Sequence, residues 1–357
     1  MCTFSMTIKT FLLCLCLTAC NGNEEVTEAE TSSGYPSLLN KTVPVPAEYL
    51  GETASQGSVV QIDYDTRNYV DGNGEMRSNT AYVYLPYGYK ESSDECYDVF
   101  YFVHGHGETA ASFFQNENGM MRNLLDHLIE KGDMSPVIVV STSYVYGTPV
   151  DYYPDADPYC KALPQELVND LIPLVESRYR TYTQQTDLEG LQASRNHRAI
   201  GGFSMGAVTT WYALEYTLDY FKYFLPISSD GWSLGRFAGM NYPDETAAHL
   251  ANIVRSSSSL ENDFYIWACS GTDDVAYDRI WTQVQAMAKF TDVFDVNHLT
   301  FHEQEGAQHE FRAIAEYLYN ALPSLFSNRQ KTILHSVAFP FYSSKRRIHF
   351  SANTSLI

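Results

Sequence analysis

The sequence has few cysteines and few basic residues, and each shortage excludes a class of protein. It holds 7 cysteines in 357 residues, and four of them fall within the first 20 positions. The remaining Cys96, Cys160 and Cys269 allow at most one disulfide, so a hydrophobic core must hold the fold. Lys and Arg total 23 against 43 Asp and Glu, a net charge of −20. This charge argues against nucleic acid or an anionic membrane surface as a partner.

Long hydrophobic runs are also missing, apart from one near the N-terminus. Residues 11–17 are apolar, but this run is too short for a permanent transmembrane helix. It ends in Leu17-Thr18-Ala19-Cys20, which resembles the lipobox of a bacterial lipoprotein signal. We therefore expect residues 1–20 to be a signal peptide, cleaved before Cys20, with lipid attached to that cysteine. An ordinary secretory signal is the alternative; the lipoprotein prediction places the protein at the outer membrane, with the lipid as its membrane contact.

The rest of the chain divides into three parts by composition. Residues 21–45 begin polar and acidic and hold few large apolar groups, which predicts a flexible tether. Residues 46–327 are enough for one large α/β domain. Residues 328–357 are aromatic and basic, and we predict an appended tail to which we assign no function.

Within the domain, apolar strands alternate with amphipathic helices. We predict strands over 80–86, 97–103, 136–141, 198–203, 223–227, 264–268 and 299–302, and helices over 121–131 and 165–179, directly after residue 204, and from 310 to about 319. This alternation predicts an α/β fold with a mostly parallel central sheet and helices on both faces.

A Gly-x-Ser-x-Gly pattern gives the candidate nucleophile, Ser204. An apolar strand precedes Ser204 and a helix-compatible run follows it, which is the context of a serine exposed on a tight strand-to-helix turn. The pattern occurs a second time at Ser233, but a polar run precedes that serine and Gly235, Gly239 and Pro243 follow it. We therefore predict that Ser204 is the nucleophile and that Ser233 lies in a loop.

A serine nucleophile needs a histidine base and an acid to orient that base. His309 follows the last predicted strand and precedes the final helix, where an α/β-hydrolase carries its histidine. His302 lies inside that strand and His298 before it, so both are expected to be structural.

The acid follows the strand predicted over 264–268. Three aspartates lie there, Asp273, Asp274 and Asp278, and spacing alone leaves the choice among them open.

The loop after the strand over 97–103 is expected to complete an oxyanion hole. The Met205 N–H is one predicted donor, because it starts the helix after the nucleophile; the His106 N–H is the second, with Gly105 as the alternative. A competing interpretation takes His104, His106 and Glu108 as metal ligands, but no recognised zinc spacing is present, so we predict no metal.

Together these motifs resemble the feruloyl esterase domains of bacterial modular xylanases, in carbohydrate esterase family 1. The resemblance covers most of residues 55–327 and rests on the His-Gly-x-Gly-Glu loop at 104–108, Gly202-Phe203-Ser204-Met205-Gly206 and Gly306-Ala307-Gln308-His309. It implies an α/β-hydrolase fold, no cofactor, and Asp274 as the acid, at the end of a Gly-x-x-Asp turn.

The resemblance also implies a substrate class: esters of plant cell-wall polysaccharide, with feruloyl groups on xylan foremost. An acetyl-xylan or other small-acyl esterase is the alternative, and an inactive carbohydrate-binding relative is the alternative outside enzymes. The chain departs from the family pattern at His106, Ala207 and Glu310, which leaves the triad intact. Trp232 matches an aromatic family position beside the site, where it either binds substrate or packs beneath the pocket.

Overall fold

The computed structural model describes residues 37–72, 74–146, 150–257 and 263–326. The predicted signal peptide with Cys20 and the predicted tail 328–357 lie outside these residues. Within the described ranges, no helix is long and apolar enough to cross a membrane. Cys96, Cys160 and Cys269 are all free thiols, and the last two are buried.

The described residues form nine strands and ten α-helices. The strands are β1 (Leu39–Lys41), β2 (Ser58–Arg67), β3 (Met76–Leu85), β4 (Asp98–Val103), β5 (Val137–Thr142), β6 (Arg198–Phe203), β7 (Tyr223–Ile227), β8 (Tyr265–Gly271) and β9 (Leu299–Gln304). The helices are α1 (Ser112–Gln115), α2 (Met120–Glu130), α3 (Asp157–Glu166), α4 (Ile172–Arg178), α5 (Leu188–Ala193), α6 (Met205–Tyr216), α7 (Ala238–Asn241), α8 (Pro243–Ser256), α9 (Tyr277–Met287) and α10 (Phe311–Ala321).

The nine strands form one sheet in the order β1-β9-β8-β7-β6-β4-β5-β3-β2. Strand β3 pairs antiparallel with both β2 and β5, and every other pair in the sheet is parallel. The mostly parallel α/β-hydrolase sheet predicted from sequence is thereby confirmed. Because parallel strands end at the same edge, the loops after β4, β6, β8 and β9 meet there.

Strand β4 shows how the sheet separates two hydrophobic layers. Its Val99, Tyr101 and Val103 belong to one core cluster, and Phe100 and Phe102 belong to the other. Helices α3, α4, α6, α8 and α9 pack on the first layer, whereas α2 and α10 pack on the second. A strand buried on both faces reads as a continuous apolar run, which is why the sequence predicts it well.

The helix predicted over 165–179 starts earlier than expected. Helix α3 begins at Asp157, and a π-helical turn, Leu167–Leu171, joins it directly to α4. Pro158 lies in the first turn of α3, where its missing N–H costs nothing. Pro164 lies inside the helix, where a proline normally disrupts the backbone, and both Pro164 and the neighbouring Leu163 are buried.

The predicted tether ends too late in the chain. Strand β1 pairs parallel with β9, with Leu39 opposite Phe301, so Leu39–Lys41, which fall within the tether predicted over 21–45, are part of the sheet. The side chain of Val45 also packs on the core. Pairing at a sheet edge depends on backbone hydrogen bonds, and a polar composition does not reveal them.

Candidate active site

Ser204 lies on the sharp turn between β6 and α6. Its backbone has φ 56° and ψ −112°, a conformation that costs a non-glycine residue about 1–3 kcal/mol. The Ser204 N–H donates to the carbonyl of Ile227 on β7 at 2.9 Å, and the Ala207 N–H donates to the Ser204 carbonyl at 2.9 Å. These bonds hold the strained turn, which presents the half-buried Ser204 at the carboxyl end of the sheet.

The two glycines of the motif are required because α6 passes very close to the end of β4. A Cβ at Gly202 would lie 2.6 Å from the carbonyl oxygen of Val103 and from the Gly206 backbone. A Cβ at Gly206 would lie 2.0 Å from the same Val103 oxygen. Neither position has room for a side chain.

The structure brings Ser204, His309 and Asp274 into one hydrogen-bonded chain. The Ser204 hydroxyl donates to His309 Nε2 at 2.9 Å, and His309 Nδ1 donates to Asp274 Oδ1 at 2.8 Å. The Ala276 N–H also donates to Asp274 Oδ1, at 2.7 Å, and the Asp274 side chain is fully buried. A buried, oriented carboxylate holds the imidazole in the tautomer that accepts the serine proton.

The other candidate acids and bases lie elsewhere. Asp273 and Asp278 are exposed. His302 stacks on Trp267, with ring centroids 4.1 Å apart, and burial lowers the pKa of its ring to about 3. His298 binds Asp295 through Nδ1 at 2.6 Å, before β9 begins. Ser233, the second serine in a Gly-x-Ser-x-Gly pattern, lies in a loop, as predicted.

The predicted oxyanion donors stand at two loops that border the same cavity. Met205 is the first residue of α6, so its N–H has no acceptor within the helix. The Gly105 N–H, the alternative oxyanion donor, already donates to Glu108 Oε2 at 3.1 Å. His106 therefore remains as the second candidate, and both Met205 and His106 line the cavity around Ser204.

Glu108 holds the loop that carries His106. Its carboxylate lines the cavity and accepts the Gly105 N–H. Burial raises the pKa of Glu108, while that hydrogen bond and the nearby His309 act in the opposite direction.

His104 is a structural residue. Burial lowers the pKa of its ring to about 4, so the ring is neutral at pH 7. Its Nδ1 donates to the Gly105 carbonyl at 2.7 Å, and its Nε2 accepts from the Ser143 hydroxyl at 2.8 Å. Both ring nitrogens are thus engaged, which removes His104 from the metal-binding interpretation.

The cavity at Ser204 has a volume of about 430 Å³, within the usual range for small-molecule sites. Trp232 contributes to its wall but is only 2% exposed. Its indole N–H donates to Asp230 Oδ1 at 3.3 Å. Trp232 thus packs at the wall of the cavity with almost all of its side chain buried, and substrate binding by Trp232 stays a prediction.

A larger groove, of about 630 Å³, lies along α3 between Pro158 and Asn169. It contains none of the hydrogen-bonded Ser204, His309 and Asp274. The reactive geometry, not the size of a cavity, therefore locates the site.

Phe203 and Arg279 are among the cavity-lining residues that sequence reasoning missed. The Phe203 ring packs on the His309 ring with centroids 4.5 Å apart, which limits the positions that the imidazole can adopt. Phe203 precedes the nucleophile within the motif, and that position could have indicated it. Arg279 lies in α9, which the sequence analysis did not predict, and no motif pointed to it.

Fold and site together define a serine hydrolase of the α/β-hydrolase class, with a Ser-His-Asp chain at the carboxyl edge of the sheet. The family described as "Putative esterase" matches residues 74–324. This match covers most of the chain, and the protein belongs to that esterase family. It is a serine esterase.

Curated and solved relatives agree with this assignment. Endo-1,4-beta-xylanase Y of Acetivibrio thermocellus is 34% identical over 290 residues, which are 79% of this chain and 24% of the xylanase. The chain therefore spans about a quarter of that relative. A structure of the feruloyl esterase module from Clostridium thermocellum, a serine-to-alanine mutant complexed with sinapinate, is 32% identical, with a TM-score of 0.70, and covers 82% of this chain and 96% of the module.

A ferulic acid esterase from the anaerobic fungus Anaeromyces mucronatus has the same fold at 20% identity. Its TM-score is 0.58, and the match covers 79% of this chain and 96% of the fungal one.

Proposed function

We propose that the protein is a feruloyl esterase that removes hydroxycinnamoyl groups from the side chains of xylan. The observation that carries the chemistry is the unbroken chain from Ser204 through His309 to Asp274. The substrate class rests on the similarity to a feruloyl esterase module over 96% of that module. The aromatic wall of the cavity fits an aryl acyl group better than an acetyl group.

In the proposed reaction, Ser204 Oγ attacks the ester carbonyl carbon while His309 Nε2 takes the hydroxyl proton. The Asp274 carboxylate stabilises the resulting imidazolium. The N–H groups of Met205 and His106 bind the negative oxygen of the tetrahedral intermediate. The bond to the sugar oxygen then breaks, and His309 returns its proton to that oxygen.

Water completes the cycle. His309 accepts a proton from a water molecule that attacks the acyl-enzyme carbonyl, and the bond to Ser204 breaks as the serine regains its proton. The products are the free acid and the deacylated polysaccharide. The residues supply all the groups that this sequence of steps needs, and we propose no cofactor or metal.

Two measurements test the proposal. The wild type should release nitrophenol from a chromogenic ester in a burst, Ser204→Ala should abolish the burst, and Ser233→Ala should leave it unchanged. Rates on methyl ferulate should far exceed those on acetylated xylan. Nitrophenol release with faster turnover of acetylated xylan would identify the small-acyl esterase instead, and no nitrophenol release at all from the wild type would identify a carbohydrate-binding relative without activity.

We further propose that the protein is exported as a lipoprotein anchored through Cys20. The support is the Leu17-Thr18-Ala19-Cys20 sequence after an apolar run. Cells fed a labelled fatty acid should incorporate the label into the wild-type protein and not into Cys20→Ala. Labelling that survives in the variant would contradict the anchor.

A further inference from the structure

One wall of the active-site cavity is a row of aromatic rings. Phe237 joins two of these rings from behind the cavity lining: its ring centroid is 4.9 Å from that of Trp232 and 6.3 Å from that of Tyr153, in edge-to-face arrangements. Tyr153 in turn meets the ring of His106 at 6.2 Å. Trp232, Tyr153 and His106 line the cavity together with Ser204. An aromatic wall of this kind offers a planar acyl group edges and faces to pack against.

Arg279 stands at the end of this wall. Its guanidinium carbon is 4.8 Å from the Phe237 ring centroid, a cation–π distance, and its side chain lines the cavity. Of the described residues that line the cavity, Arg279 is the one with a permanent positive charge, whereas Glu108 and Glu310 carry carboxylates. A single arginine in the site of a chain with net charge −20 calls for an explanation.

Two stabilising roles do not explain Arg279. It lies in the first turn of α9, where the helix dipole disfavours a cation. The nearby Asp230 does not need it for hydrogen bonding, because Asp230 accepts the Met240 N–H at 3.0 Å and the Trp232 indole N–H at 3.3 Å. Burial raises the pKa of Asp230, and the charge of Arg279 is the smallest of the influences that oppose this. The guanidinium thus keeps donors for a ligand in the cavity.

We infer that Arg279 determines acyl specificity by donating hydrogen bonds to the oxygen substituents of the hydroxycinnamoyl ring. This inference rests on the proposed function. A feruloyl ring carries a hydroxyl and a methoxy oxygen on adjacent carbons, and a guanidinium presents several donors in one rigid plane, so it can reach both oxygens at once. The ring itself packs along the wall that Tyr153 and Trp232 form. A cinnamoyl ring without oxygens leaves Arg279 without a partner.

A series of methyl esters with zero, one and two ring oxygens tests the inference: cinnamate, p-coumarate and ferulate. The wild type should prefer ferulate. Arg279→Ala should lower kcat/KM for ferulate by about 10-fold to 100-fold, as expected for the loss of charge-assisted hydrogen bonds, and leave cinnamate unchanged. Arg279→Lys, which keeps the charge but not the planar fork, should recover only part of the rate on ferulate.

The matched control is Arg236→Ala. Arg236 is exposed, pairs with Asp155 at 3.0 Å and is not among the residues that line the cavity, so all three esters should keep their rates. Retained turnover of 4-nitrophenyl acetate checks that each variant is folded.

Three outcomes would overturn the inference. Equal losses on cinnamate and ferulate in Arg279→Ala would show that Arg279 supports the site as a whole. A loss that appears with feruloylated arabinose but not with methyl ferulate would place Arg279 at the sugar. A wild type that turns over 4-nitrophenyl acetate and none of the aryl esters would refute the proposed function and the inference together.

Discussion

At the scale of single residues, hydrogen bonds between neighbouring side chains and the backbone determine which groups of the active site are left to react or to bind substrate. Glu108 accepts the Gly105 N–H, so the next N–H, that of His106, is the one that we propose as the second oxyanion donor. Asp274 takes His309 Nδ1, which leaves Nε2 as the proton acceptor for Ser204. Replacing Glu108 or Asp274 should therefore also change how a neighbouring group, the His106 N–H or His309 Nε2, is positioned.

Asp274→Asn tests the allocation at the triad. An asparagine keeps the shape of the side chain but can present its NH₂ group to His309 and favour the wrong tautomer. The kcat for a soluble aryl ester should fall by about 10⁴-fold, as for other triads that lose this carboxylate. Asp273→Asn is the matched control, because Asp273 is exposed and adjacent, and its kcat should not change. Equal losses in the two variants would mean that charge near the loop matters and orientation of the imidazole does not.

Glu108→Gln and Glu108→Ala test the allocation at the oxyanion loop. The amide oxygen of glutamine can still accept the Gly105 N–H, whereas alanine leaves it free and releases the loop. Alanine should lower kcat by about 10²-fold with little change in KM, since a misplaced oxyanion donor acts in the transition state. Glutamine should restore most of the rate. Failure of glutamine to do so would show that the negative charge beside His309 is what matters.

At the scale of secondary-structure elements, the way each element packs determines whether it can be predicted from the sequence. The buried strands β4, β6 and β7 and the strand-to-helix turn at Ser204 were predicted to within a residue or two. A strand buried on both faces requires a continuous apolar run, and a tightly packed turn requires glycine, so both leave a clear pattern in the sequence. Strand β1 and helix α9 were missed. Strand β1 pairs through its backbone, and α9 buries only one side, with Ile280, Val284 and Met287 spaced among polar residues. The triad was predictable from chain order, whereas Arg279 was not, because tertiary packing brings it to the cavity.

Gly206→Ala tests whether the strand-to-helix turn at Ser204 depends on close packing of α6 against β4. A Cβ there would lie 2.0 Å from the Val103 carbonyl oxygen, so α6 must shift. We expect a loss of about 1–3 kcal/mol in the free energy of unfolding, together with a large loss of kcat as Ser204 moves. In Gly51→Ala, the matched control, the new Cβ meets nothing closer than 3.9 Å, so stability should change by less than about 0.5 kcal/mol. Unfolding in urea measures both, and unchanged stability in Gly206→Ala would contradict the packing argument.

At the scale of the whole molecule, residues 38–43, which composition assigns to a tether, are part of the domain. The Phe301 N–H donates to the Leu38 carbonyl at 2.7 Å, and the Thr42 N–H donates to the Glu303 carbonyl at 3.0 Å. Val43 exchanges two hydrogen bonds with the Asn320 side chain, each 2.9 Å long. These bonds close the edge of the sheet at β9, the strand that leads to His309.

Removing this segment should therefore weaken the fold. A chain that starts at residue 46 should melt several degrees below one that starts at residue 37. It loses the four hydrogen bonds just described, each worth roughly 1 kcal/mol, together with the rest of the β1–β9 pairing, before the regained chain entropy is subtracted. Thermal melting monitored by circular dichroism measures the difference. Equal melting temperatures would show that residues 37–45 do not stabilise the domain, in agreement with the tether that composition predicts.

The molecule as a whole should be most stable near neutral to mildly acidic pH, because two sets of buried groups act in opposite directions. Burial lowers the pKa of His104 to about 4 and that of His302 to about 3. Their contribution to stability is therefore complete above the unfolded value of about 6.5 and is lost as the pH falls towards the folded values. Burial raises the pKa of Glu108, Glu166 and Asp230. Their contribution is present below the unfolded value and is lost as the pH rises through the folded one.

His302→Phe isolates the acid side of this balance. Phenylalanine keeps a ring to stack on Trp267, where the two ring planes now meet at 17°, and it cannot take up a proton in the unfolded state. Melting temperature should fall less between pH 7 and pH 5 in His302→Phe than in the wild type. Between pH 7 and pH 9 the two proteins should change in parallel, because His302 is neutral there in both folded and unfolded states. An equal fall of both proteins on the acid side would mean that the carboxylates and the net charge alone set the pH dependence of stability.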